Sequence, residues 1–231
     1  MRIKICGLFR DQDIDYVNEA HPDYAGFVFA KSSRQVSAVM AQYLRFRLAD
    51  GIEPVGVFVN APVKLIAELY KKEIISIAQL HGTEDDAYIN RLKEVTGKEN
   101  RMAIPVIKAI KLDKSHEGRT IATNADFLLL DSGAGSGKTF NWDLLKSIKI
   151  NKPWFLAGGI DIKNIDKAKA LKPYGIDVSS GAETDGLKDR EKILKLTSIM
   201  GKQAKEPGGF EINYTMQVEH RRRRATLNIK E

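Results

Sequence analysis

Eight short β-like runs succeed one another along the chain, at residues 3–6, 24–29, 54–59, 74–79, 102–110, 127–131, 153–157 and 175–178. Between and after them lie stretches with the apolar spacing of amphipathic helices, at 14–20, 37–48, 63–72, 85–95, 161–171 and 190–200. Strands that alternate with helices return by crossover connections and therefore run parallel. Eight of them are more than a doubly wound sheet usually holds, and the count predicts an α/β fold of one (β/α)8 TIM barrel. The weak unit is the fifth: residues 111–123 are polar, and their helix is expected to be short or irregular. A length of 231 residues suits a single barrel, and 43% apolar residues supply its core.

In such a barrel the reacting groups come from the C-terminal ends of the strands and the loops after them. That rule singles out Cys6 after the first strand, Arg34 after the second, His81 after the fourth and Asp131 after the sixth. The last two strands are followed by Gly158-Gly159 and Ser180-Gly181. Taken alone, each residue has an ordinary reading. A free cysteine is among the most buried residue types. An aspartate ends many strands, glycines make tight turns, and a loop arginine or histidine is commonly solvated or hydrogen-bonded.

Together they suggest chemistry. Glycines let a backbone approach a ligand, and N–H groups at helix starts after strands seven and eight suit a phosphate. Asp131 ends an apolar run, whose neighbours are expected to disfavour its ionised form and fit it to act as a general acid. The Cys6 thiol, ordinarily titrating near 8.5, is within reach of activation to a base. An acid and a base over a phosphosugar point to proton-transfer isomerisation without cofactor or metal. Arg34 suits a carboxylate at the far end of the substrate, and His81 suits the wall of the site.

The segments carrying these residues are Lys4-Ile-Cys-Gly7, Gly26-Phe-Val-Phe29 with Lys31-Ser-Ser-Arg34, Gly56-Val-Phe-Val-Asn60 and Gln79-Leu-His-Gly82. Further on come Leu128-Leu-Leu-Asp131, Gly135-Ser-Gly-Lys-Thr-Phe-Asn-Trp142, Ala157-Gly-Gly159 and Asp177-Val-Ser-Ser-Gly181. In this order, over residues 1 to about 200, they resemble the phosphoribosylanthranilate isomerase family of tryptophan biosynthesis. The resemblance implies an Amadori rearrangement of N-(5-phosphoribosyl)anthranilate to 1-(2-carboxyphenylamino)-1-deoxyribulose 5-phosphate. It implies that Asp131 protonates the ring oxygen, Cys6 removes the C2 proton, and Arg34 holds the anthranilate carboxylate. The backbone around Gly158, Gly159, Ser180 and Gly181 would hold the phosphate.

Gly135-Ser-Gly137-Lys138-Thr139 imitates the end of a nucleotide-binding P-loop, but the glycine required five positions before Gly137 is replaced by Ser132. Two other functions fit parts of the chain. One is a different phosphosugar barrel, such as indole-3-glycerol-phosphate synthase, to which the Cys6 and Asp131 positions conform less well. The other is a scaffold whose tail recruits RNA. The resemblance ends near Met200, which predicts an isomerase domain over 1–205 and a basic C-terminal tail over 206–231, its order left open by the sequence. Pro207-Gly-Gly209 opens that tail as a linker, and Arg221-Arg-Arg-Arg224 supplies part of the net charge of +7. A short basic run is more often solvated than bound to nucleic acid. One cysteine, no run of eighteen apolar residues and a start without signal-peptide character predict a cytoplasmic chain. The expected partner is a small phosphosugar, with no nucleic acid and no membrane, in a monomer or homodimer.

Overall fold

The computed structural model describes residues 1–98, 102–131, 145 and 147–205. The Gly135–Trp142 segment and the 206–231 tail lie outside the described residues. Strands β1 (Arg2–Cys6), β2 (Tyr24–Val28), β3 (Glu53–Phe58), β4 (Ile77–Leu80), β5 (Val106–Lys111), β6 (Phe127–Asp131), β7 (Trp154–Ala157) and β8 (Gly175–Val178) close into a barrel in chain order. All eight neighbouring pairs are parallel, and the seam between β1 and β8 sets Lys4 opposite Asp177. The outer layer is formed by α1 (Asp11–Ala20), α2 (Ala38–Arg47), α3 (Val63–Lys71), α4 (Asp86–Thr96), α5 (Ile165–Ala170) and α6 (Arg190–Ile199). Among the described residues no helix is long and apolar enough to cross a membrane.

Helix starts follow local hydrogen-bond chemistry. Ser37, Asp85 and Asp189 accept from the backbone N–H three residues on and so open α2, α4 and α6. The helix expected at 161–171 begins four residues later. Asp161 accepts from the Lys163 and Asn164 amides and so holds a turn in place of the first helical turn. Unit five contains only a 3₁₀ turn, Lys114–His116, among its described residues, as its polarity implies.

Two strands begin later than their apolar runs. Ile74 and Ile75 are buried but follow the turn that ends α3, where Glu73 is left-handed (φ 57°) and the Ile74 amide bonds Leu69 O. β4 therefore starts at Ile77. Residues 102–105 precede β5 because Met102 is exposed and Ile104 donates to Thr96 Oγ1 instead of a neighbouring strand.

The apolar side chains divide into two cores. Outward-facing residues such as Ile3, Ile5, Phe27 and Leu128 pack under the helices with Ile14, Leu44, Ile66 and Leu196. Inward-facing Tyr24, Val55, Ile77, Ile107, Leu129 and Phe155 fill the barrel. At its N-terminal end Tyr24 and Tyr174 meet Phe155 edge-on, at centroid distances of 5.5 and 5.4 Å, and Phe127 joins them. A Cβ at Gly175 would lie 2.6 Å from the Phe155 ring, so the glycine makes room for this plug. The other end is polar and open.

Candidate active site

A cavity of 350 Å³ opens among the C-terminal ends of the strands. Its wall includes every residue singled out in the sequence: Cys6, Arg34, His81, Asp131, Gly158, Gly159, Ser180 and Gly181. A larger hollow of 430 Å³ lies outside the barrel between α3 and α4, lined by residues such as Tyr70, Arg91 and Val95, and holds none of them. The strand-end cavity is the candidate site because it gathers a thiol, carboxylates, an imidazole and a guanidinium around one volume.

Cys6 is the last residue of β1 and pairs with Gly26 of β2. A Cβ at position 26 would come within 2.7 Å of Cys6 Sγ, so that glycine provides the space for the sulfur. Two strand residues beneath Cys6 on the same face is Lys4, wholly buried, with Nζ 2.9 Å from Asp177 Oδ1. Burial pushes the thiol up, Lys4 pulls it down, and Asp177 adds a smaller upward push. Burial also disfavours the Lys4 ammonium, but Asp177 and Cys6 outweigh it and leave Lys4 above its ordinary value. The resting thiol is therefore neutral and sits beside a cation, a less activated state than its sequence position suggests.

Asp131 ends β6, and its Oδ2 is 3.4 Å from His81 Nε2. The apolar run before it does not enclose the carboxyl, whose side chain is 25% exposed at the mouth. His81 Nδ1 is 3.3 Å from Gln79 Nε2. The His81 loop is anchored from below: Glu84 accepts from the Asn60 and Gly82 amides, and Lys108 Nζ bridges Glu84 and Gly82 O. Gln79 is nearly inaccessible, and its Oε1 has no hydrogen-bond partner among the described residues. A hydroxyl group in the cavity is the donor that such an acceptor suits.

Arg34 reaches the cavity from the loop after β2. Its stem crosses over Gly7, where a Cβ would lie 2.5 Å from Arg34 Cδ. Its charge is already engaged. Glu183 accepts from Nε at 2.7 Å and from Nη2 at 2.5 Å, which raises the guanidinium's pKa further. Nη1 has no hydrogen-bond partner among the described residues.

The glycine loops meet each other. Gly158 and Gly159 are both left-handed (φ 94° and 61°), a region that favours glycine. A Cβ on Gly181 would run into the Ile160 carbonyl oxygen. The amides of Gly159, Ser180 and Gly181 donate to no group among the described residues, as an anion-binding loop requires. Helix starts do not supply these donors as expected. α5 begins at Ile165, and Ser180–Ala182 is a single 3₁₀ turn before the hairpin β9 (Glu183–Thr184) and β10 (Leu187–Lys188).

Comparison with known proteins agrees with this geometry. The family described as N-(5'phosphoribosyl)anthranilate (PRA) isomerase matches residues 3–198. The chain belongs to this isomerase family. It is 47% identical to the N-(5'-phosphoribosyl)anthranilate isomerase of Endomicrobium trichonymphae, over 86% of this chain and 98% of that one. Among solved structures it resembles TrpF from Jonesia denitrificans, with a TM-score of 0.73 and 32% identity over 85% of this chain and 95% of that one. It also resembles a phosphoribosyl anthranilate isomerase solved with reduced 1-(o-carboxyphenylamino)-1-deoxyribulose 5-phosphate, with a TM-score of 0.68 and 28% identity, covering 86% and 97% of the two chains.

Around the candidate site stand four charged groups that strand-end reasoning overlooks: Asp177 in its wall, and Lys4, Glu183 and Lys188 behind it. Lys4 carries a readable signal, being a charge between two isoleucines on the inward face shared with Cys6. Asp177 is its counterpart on β8, which must adjoin β1 once eight strands close.

Proposed function

We propose that this chain catalyses the Amadori rearrangement of N-(5-phosphoribosyl)anthranilate, a step of tryptophan biosynthesis, with Asp131 as the acid and Cys6 as the base. The observation that carries this reading is one cavity walled by Cys6, Asp131, the Arg34 guanidinium and the backbone of Gly159, Ser180 and Gly181, whose amides donate to no group among the described residues. Phosphate on the amides and carboxylate at Arg34 anchor both substrate ends while the sugar between them changes shape. Protonated Asp131 delivers its proton to the ring oxygen. The C1–O bond breaks as the nitrogen lone pair forms the iminium. Cys6 takes the C2 proton, and the released electron pair forms the C1–C2 double bond and neutralises the nitrogen. Transfer of the enol hydroxyl proton and protonation of C1 complete the ketone.

The raised thiol fits this order. A cationic iminium formed in the same cavity adds to Lys4 and favours the thiolate at the step that uses it. Asp131 and His81 are close enough for the imidazole to hold the carboxyl in place. The barrel over 1–205 is the catalytic domain in this reading, and 206–231 is an accessory tail. The enzyme acts in the cytoplasm on a small phosphosugar, as a monomer or homodimer.

Loss of substrate fluorescence with purified protein tests the activity. Cys6→Ser is expected to lower kcat by about a hundredfold or more, because serine keeps the size but is a far poorer base near neutral pH. A kcat within about threefold of the parent would make Cys6 a packing residue.

A further inference from the structure

The mechanism leaves one charged cluster in the mouth without a role. Hairpin pairing sets Glu183 opposite Lys188, and both side chains are buried, at 4% and 0% exposure. Glu183 Oε1 accepts from Lys188 Nζ at 2.5 Å while the same carboxylate grips Arg34 through two donors. Lys188 Nζ also donates to Ser179 O at 3.1 Å, at the edge of the glycine loop after β8. Of the three residues only Arg34 lines the cavity.

A lone Arg34–Glu183 pair would be electroneutral. Its buried carboxylate, already bound to the guanidinium, would repel a second carboxylate arriving at the same group. Lys188 changes that balance: the three side chains together carry one net positive charge. We propose that Glu183 and Lys188 are positioning residues for the carboxylate end of the substrate. Glu183 fixes the plane of the Arg34 guanidinium with two of its donors. Lys188 cancels the charge of Glu183, so that an incoming carboxylate meets a net cation. Burial pushes the Glu183 carboxyl up, but Arg34 and Lys188 outweigh it and hold it below its ordinary value, which keeps it an acceptor; burial lowers Lys188 from its own ordinary value against the upward pull of Glu183.

This inference rests on Arg34 being the carboxylate ligand, so the experiment tests that separately. Anthranilate and inorganic phosphate serve as competitive inhibitors, one for each end of the site. Arg34→Ala is expected to raise the anthranilate Ki about tenfold or more and leave the phosphate Ki within twofold. An unchanged anthranilate Ki there would remove Arg34 from the carboxylate end and the proposal with it. Lys188→Met is expected to raise the anthranilate Ki about tenfold, with KM rising more than kcat falls and phosphate little affected. The double variant Lys188→Met/Glu183→Gln, which restores one net positive charge through Arg34 alone, is expected to bind anthranilate more tightly than Lys188→Met but less tightly than the parent, because glutamine offers the guanidinium one acceptor instead of two. Equal losses for both inhibitors in Lys188→Met, or no recovery in the double variant, would show that the cluster only packs the hairpin. The double variant leaves no buried carboxylate short of a partner, so it remains a test if the single variant does not fold.

Discussion

The two ends of the barrel use the same strands for opposite purposes. β6 places Phe127 at the floor and Asp131 at the mouth, and β7 places Phe155 at the floor and the small Ala157 at the mouth. Below, the Tyr24 and Tyr174 hydroxyls meet at 3.1 Å, and rings fill the interior. Above, charges stand in pairs: Lys4 with Asp177, Arg34 and Lys188 with Glu183. Alternation along a strand decides only which side chains point inward. Height along the barrel decides whether they fill space or leave a charged cavity. Buried ion pairs roughly break even against apolar packing, whereas buried aromatics stabilise by several kcal/mol. Stability therefore belongs to the floor and chemistry to the mouth, and each claim can be broken separately.

The largest separation is expected from Asp131→Asn. Asparagine cannot deliver a proton, so kcat should fall by about 10²–10⁴-fold, and the basic limb of the pH–rate profile should vanish. The melting temperature should stay within a few degrees, since the carboxyl lies at the rim. An unaltered profile would remove Asp131 from the acid role.

Phe155→Ala is the reverse case. It should cost about 3–5 kcal/mol of stability, roughly 6–20 °C in Tm for a chain of this size. kcat per folded molecule should remain within about twofold. A large loss of kcat in the folded fraction would mean that the floor sets the geometry of the mouth and that the division fails.

Gly159→Val should have an intermediate effect. A β-branched residue at φ 61° is strained, and its side chain blocks close approach of an anion. KM and the phosphate Ki should both rise about ten- to a hundredfold. If stability fell and both constants held, the glycine would be a turn former only.

Deleting residues 206–231 should change least. Activity should persist and Tm should fall by less than about 5 °C, roughly 2 kcal/mol. The described chain reaches Lys205 on the floor side, where the Lys205 amide donates to Glu19 O and Lys202 Nζ bonds Asp23. A larger drop would show that the floor needs an apolar cover beyond its own rings.

The strands, and the gathering of the eight candidate residues around one cavity, are legible because both follow from local pattern and from the rule that strand ends carry function. Boundaries are less legible where an apolar residue has two possible uses. Ile74 and Ile75 look like strand, yet the Ile74 amide bonds back to α3, because a left-handed Glu73 intervenes and no propensity scale weighs that turn against the strand. The charged partners are harder still. Glu183 lies 149 residues from Arg34, and only the hairpin after β8 brings them together. The apolar neighbours of Asp131 suggest enclosure, but in a strand they alternate, and the run says nothing about the open mouth above its last residue.

The contact between Lys4 and Asp177 joins residues 173 positions apart, across the seam where the first strand meets the last. A nascent chain emerging from the ribosome makes the thiol first and the carboxylate that balances its lysine near the end of the barrel. The electrostatic setting of Cys6 is thus a checkpoint on completeness. A chain that stops short of β8 holds Cys6 and Asp131, yet lacks the counterion of Lys4, the hairpin and the second glycine loop. Such a fragment keeps Cys6, Arg34, His81 and Asp131 but not the carboxylate that balances the lysine beside the thiol.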